Sequence, residues 1–105
     1  DTTASKIDDY IHTHISEEIS VKVLCEAFGI SKNKLYELSH EWFSMSIGEY
    51  ISTIRIEEAK RLLTTTDLPI NQICAMVGVK DYNYFTKFFK SYEGVPPIKY
   101  RKNHI

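Results

Sequence analysis

Apolar residues along the chain return at steps of three and four, the spacing that gathers them on one side of a helix. Ala4, Ile7, Ile11 and Ile15 do so, with Asp8 and Asp9 on the other side, which predicts a first helix over residues 4–15. Ser20 stands where an N-cap belongs, its hydroxyl able to accept from a free backbone N–H, ahead of Val21, Leu24, Cys25 and Phe28. Gly29 then ends this short second helix, because glycine takes the left-handed conformation without strain. Ser31 repeats the cap, and Leu35, Leu38 and Trp42 mark the buried stripe of a third helix. Two helices joined by a short turn containing glycine predict a helix-turn-helix.

From Ser46 to about Thr65, the residues Ile47, Tyr50, Ile51, Ile54, Ile56, Ala59, Leu62 and Leu63 form a wide apolar face, as expected of a helix packed on two sides. At about 1.5 Å per residue such a helix spans about 30 Å, enough to hold two flanking units apart. The segment after it repeats the one before. Ile73, Cys74, Gly78 and Val79 match Leu24, Cys25, Gly29 and Ile30 at an offset of 49. Phe85, Phe88, Tyr92, Gly94 and Tyr100 match Leu35, Leu38, Trp42, Ser44 and Tyr50 at an offset of 50, so one insertion in the turn separates the copies. Gly94, Pro96 and Pro97 end the sixth helix and open a seventh, where a missing N–H does no harm. The expected fold is all-α: seven helices in two homeodomain-like helix-turn-helix subdomains, residues 1–45 and 66–105, joined by a linker helix over 46–65.

Composition changes this picture little. With 105 residues, 43% hydrophobic and 26% charged, the chain has the make-up of one ordinary folded domain, and no apolar run approaches the ~20 residues a membrane span needs. A soluble, cytoplasmic protein acting on the nucleoid is expected, with no membrane partner. A start at Asp1 in place of Met suggests a piece of something longer. Cys25 and Cys74 sit at equivalent places in apolar segments and are expected as packed, reduced thiols.

Charge matters more. The net charge of -1 conceals four lysines against nine acids in residues 1–50, and nine Lys or Arg against five acids in residues 51–105. A polyanion should prefer the second half.

With the core stripes assigned, each helix-turn-helix leaves an outward strip at matching positions. In the third helix, about 32–43, the strip is Asn33, Tyr36, Glu37 and His40; in the sixth, about 81–93, with Phe85, Phe88, Phe89 and Tyr92 facing inward, it is Asn83, Thr86, Lys87 and Lys90. Asn suits bidentate contact with adenine, Lys suits guanine or a phosphate, and Glu accepts from cytosine N4. Such strips are what a DNA major groove would meet. Phosphate contacts are expected from Lys32, Lys34, Lys80, Lys90 and Arg101, near the ends of the two reading helices. Arg55 reads equally as a structural anchor pairing with acids such as Glu58 or as a phosphate ligand, and Tyr82 stays open as a stacking residue. His12 and His14 point different ways on a helix, and no Cys or His cluster has zinc spacing. No metal, cofactor or catalytic residue is expected: the chain has no Gly-rich phosphate loop and no Ser-His-Asp set or carboxylate pair that spacing supports.

Ser31 with Leu35, Arg55 with Ala59 and Leu62–Leu63, Ile73 with Gly78, and the run FFKSYEGVPPIKYR over residues 88–101 make the chain resemble the DNA-binding domain of AraC/XylS-type transcriptional regulators. The resemblance covers residues 7–101 and implies seven helices, with two recognition helices entering successive major-groove segments on one face of bacterial promoter DNA. It implies base contacts by Asn33, Tyr36 and Glu37 in the first unit and by Tyr82, Asn83, Thr86 and Lys87 in the second, with Ser31 and His40 added to the backbone contacts. It further implies an activator, with RNA polymerase as a second partner and an effector or receiver domain on the N-terminal side. The sequence departs from the family pattern at Ser39, where an aromatic is usual, at His40 for Lys, at Ser44 for a helix-ending Gly and at Val79 for Phe. The rival reading is a helical protein-interaction module whose acidic first half docks a polymerase subunit or an upstream domain.

Overall fold

The computed structural model describes residues 2–104. They form seven α-helices without strands: α1 (Thr2–Thr13), α2 (Val21–Phe28), α3 (Lys32–Leu38), α4 (Ile47–Thr65), α5 (Ile70–Met76), α6 (Tyr82–Glu93) and α7 (Pro97–Asn103). A π-helical turn, Ser39–Phe43, extends α3. The chain divides into two compact units, with the boundary inside α4 between Ile54 and Arg55.

In the first unit, Ile7 and Ile11 of α1, Leu24 of α2, Leu35 and Leu38 of α3, and Ile47, Ile51 and Ile54 of α4 close one core. Ile15 packs against it from beyond the end of α1, two residues later than the helix itself runs. Ser20 Oγ accepts from Val23 N at 3.1 Å, and Gly29 ends α2 at φ 61°, where a side chain would be strained. Ser46 Oγ accepts from Glu49 N at 3.2 Å and opens α4. The Tyr50 hydroxyl donates to Asp8, and burial together with that carboxylate raises its pKa.

Trp42 does not join the core; it stands 49% exposed. The reason is the π-helical turn. Bonding from i to i+5 admits one extra residue, so the inward phase passes from position 42 to position 43. Phe43 accordingly packs against this core and stacks on Tyr50, ring centroids 3.9 Å apart. Ser39, where the family has an aromatic, is fully buried, and its hydroxyl donates to the Met45 carbonyl at 2.5 Å. Ser44 then turns the chain at φ 60°, the one non-glycine positive φ among the described residues, at the place matching Gly94 (φ 81°). Ser44→Gly is therefore expected to raise the unfolding free energy by about 0.5–1 kcal/mol in urea titrations; no gain would mean that Ser44 is held there without strain.

In the second unit, Ile56, Ala59, Leu62 and Leu63 of α4, Ile73 and Cys74 of α5, and Phe85 and Phe89 of α6 form the other core, with Val77 and Val79 from the turn. Tyr92, expected inside, is 45% exposed. Phe85 and Phe89, four apart, already fill the inward row, so Tyr84, Phe88 and Tyr92 make a neighbouring row along the core's edge. Phe88 is half-buried there, 5.9 Å from the Tyr84 ring and 5.3 Å from the Tyr92 ring. Cys74 is buried, its thiol donating to the Val79 carbonyl at 2.8 Å, and burial followed by the nearby Asp81 charge pushes its pKa up. Cys25 is half-buried, and both cysteines are free.

Two arginines complete helix ends in this unit. Arg55 donates to the Val77 carbonyl at the close of α5, and burial lowers its pKa. Arg101 reaches back from α7 to α4, its Nε donating to the Leu63 carbonyl at 3.0 Å and its Nη2 to the Thr66 carbonyl at 3.2 Å. The last carbonyls of a helix lack intrahelical partners, so both contacts satisfy groups that folding leaves open.

Candidate nucleic-acid interface

Each unit carries its outward strip on a helix whose start is fixed by a side-chain cap. For α3 the cap is Ser31, whose Oγ accepts from Lys34 N at 3.1 Å. For α6 it is Asp81, which accepts from Asn83 N at 2.9 Å and Tyr84 N at 3.5 Å. Asp81 lies 50 residues after Ser31, so the repeat itself could have revealed this cap. A carboxylate on those N–H groups and the positive helix end leaves little there for a phosphate. The exposed cations that remain around α6 are the Lys80, Lys87 and Lys90 side chains.

On α3, Asn33, Tyr36 and Glu37 are exposed while Leu35 and Leu38 are fully buried. His40, on the π-helical turn, is exposed as well, as are Ser31, Lys32 and Lys34 at the start of the helix. On α6, Tyr82, Asn83, Lys87 and Lys90 are exposed, and Phe85 and Phe89 hold the opposite side in the core. Lys80 is exposed just before the cap. Thr86 is half-buried, and its hydroxyl donates to the Tyr82 carbonyl at 3.1 Å. What Thr86 presents outward is therefore a methyl group and an acceptor lone pair.

Arg101 differs from the rest of the expected phosphate set. It is half-buried and tied to the Leu63 carbonyl of α4 and the Thr66 carbonyl just past its end, a connection that no sequence spacing announces. Glu58, expected beside Arg55, accepts from Arg61 Nε at 2.5 Å.

A helix-turn-helix domain model matches residues 24–103, most of the chain. The chain belongs to the AraC-type family of DNA-binding transcription-regulator domains. Its relatives include an uncharacterized HTH-type transcriptional regulator, YisR, of Bacillus subtilis, 33% identical over 89% of this chain and 32% of that protein. The raffinose operon transcriptional regulatory protein RafR of Pediococcus pentosaceus is 33% identical over 90% of this chain and 34% of its own length. This AraC-type chain thus spans about a third of the length of the curated relatives it matches. Among solved structures, the C-terminal domain of AraT, a response regulator from Geobacillus stearothermophilus, superposes with a TM-score of 0.94 at 28% identity, covering 100% of this chain and 88% of that one. The DNA-binding domain of AdpA, solved with a target DNA, shares the fold, with a TM-score of 0.89 at 19% identity over 95% of this chain and 90% of that one. Among the described residues no helix is long and apolar enough to cross a membrane.

Proposed function

We propose that this AraC-type domain reads double-stranded promoter DNA with α3 and α6, each in one of two successive major-groove segments about one helical turn apart. One observation carries the reading. In each unit a capped helix following a glycine turn buries its apolar row and leaves a polar row exposed, so base edges could be met without unpacking anything.

The roles follow from side-chain chemistry. Asn33 and Asn83 offer the paired donor and acceptor that adenine matches, Lys87 suits the O6 and N7 acceptors of guanine, and Glu37 accepts from cytosine N4. Thr86, its hydroxyl proton already used, offers its methyl to thymine. Tyr36 and Tyr82 flank these groups on the exposed faces. Ser31, Lys32, Lys34, His40, Lys80 and Lys90 hold phosphates, which sets register and carries most of the salt dependence. Arg101 serves the fold and is left out of this set. The acidic first unit binds more weakly, or more selectively, than the basic second one, because Glu37 repels a misplaced phosphate. The domain performs no catalysis. In the full-length protein it activates transcription in the cytoplasm, through contact with RNA polymerase and under an effector or receiver domain on its N-terminal side.

Lys90 separates positioning from reading. Lys90→Ala is expected to lower affinity evenly across duplex sequences and to reduce the slope of log affinity against log salt by about one. A loss confined to one sequence, with the slope unchanged, would make Lys90 a base contact.

A further inference from the structure

Two surface features lie outside the base-reading strips, apart from Tyr82 at the edge of the second, and they are opposite in charge. On the first unit, Trp42 lies near the end of the π-helical turn, with 49% of its surface exposed. Together with Ala4, Ser5, Asp8 and Phe43 it lines a shallow hollow of about 230 Å³, and the exposed Glu41 precedes it in the chain. On the second unit, an open groove of about 530 Å³ is lined by Ile70, Asn71, Tyr82, Ile98, Arg101 and Lys102. Ile98 is 54% exposed and Tyr82 44%, so the groove offers apolar wall to water, with two cations at its rim.

We propose that the groove of one chain receives Trp42 of a second copy of the same chain, in a head-to-tail contact. Large exposed aromatic and aliphatic groups lose contact with water on association, and Trp is the residue most favoured as an interface anchor. The groove is roomy enough for the indole. Arg101, its guanidinium fixed by the Leu63 and Thr66 carbonyls, is a pre-positioned cation for the face of the ring.

Charge selects the second copy and the direction of the contact. Up to Ile54 the chain holds nine acids and four lysines; from Arg55 onward it holds nine Lys or Arg and five acids. Like units of two copies repel and unlike units attract, which disfavours a symmetric pairing of Trp42 with Trp42 and favours the acidic unit of one copy on the basic unit of the next. Glu41 then faces Lys102 across the contact. One aromatic anchor and its rim bury much less than the ~1,200 Å² of stable complexes, so the association is weak and visible only at high protein concentration.

Sedimentation velocity of the DNA-free chain, from dilute to millimolar protein at low salt, tests this without reference to base reading. Reversible self-association is expected, and Trp42→Ala should weaken it by about tenfold or more. That variant should stay folded with a modestly lowered melting temperature, because the side chain is half exposed and outside the core cluster. Ile98→Asp should weaken association from the groove side. Glu41→Lys and Lys102→Glu should each weaken it, and the double variant should regain it. A chain that stays monomeric at every concentration, or association that survives Trp42→Ala, overturns the proposal. Loss with Trp42→Ala but not with Ile98→Asp means that Trp42 meets another surface and overturns the groove. A double variant no tighter than the single ones overturns the head-to-tail pairing.

Discussion

Phe89→Ala is expected to remove about 3–5 kcal/mol of unfolding free energy, the usual cost of deleting a fully buried phenyl group whose neighbours cannot close the gap. Phe89 is 0% exposed in the second core, with the Tyr100 ring edge-on at 5.4 Å and the Phe85 ring at 6.1 Å. Those neighbours sit on α6 and α7, so the void has rigid walls. Against an ordinary total of about 5–15 kcal/mol, the loss is large. The matching residue of the first unit is Ser39, also 0% exposed but holding its place by a hydrogen bond to the Met45 carbonyl. Ser39→Phe should accordingly destabilise, by about 1–3 kcal/mol, because it overfills a packed site and orphans that carbonyl. Urea unfolding followed by circular dichroism measures both. A loss below about 1 kcal/mol for Phe89→Ala would mean that the core does not seat α6.

Lys87→Ala is expected to act on recognition and to leave the fold alone. Lys87 is exposed one turn beyond Asn83 on α6, so its removal should change stability by less than about 0.5 kcal/mol. On the preferred duplex it should cost about 1–3 kcal/mol of binding and relax preference at one base position. Scrambled duplexes should lose far less. Equal losses on preferred and scrambled DNA would reduce Lys87 to a phosphate contact.

Much of this was legible in the sequence because the signals are local. Ser20, Ser31, Gly29 and Gly94 act through the backbone within a few residues, so caps and helix ends can be read directly. The outward strips follow from the inward ones: once Leu35, Leu38, Phe85 and Phe89 are assigned, Asn33, Tyr36, Glu37, Asn83 and Lys87 fall outside. Trp42 escaped because periodicity assumes 3.6 residues per turn, and the π-helical turn adds one residue with no mark in the sequence beyond the unusual Ser39 and Ser44. Tyr92 escaped because Phe85 and Phe89 suffice to fill the inward row. Arg101 escaped for another reason. Its partners lie 38 and 35 residues away in the chain, and only the fold brings a helix end beneath a guanidinium. A positive charge near a reading helix looks the same in sequence whether it serves phosphate or backbone.

The most direct test of tandem reading is selection of this domain against random duplexes of about 25 base pairs near 0.1 M salt, followed by affinity for the enriched and scrambled pools. Reading by α3 and α6 together predicts a bipartite motif with half-sites about ten base pairs apart, bound more tightly than scrambled DNA. A single enriched half-site, or no enrichment at all, would contradict it.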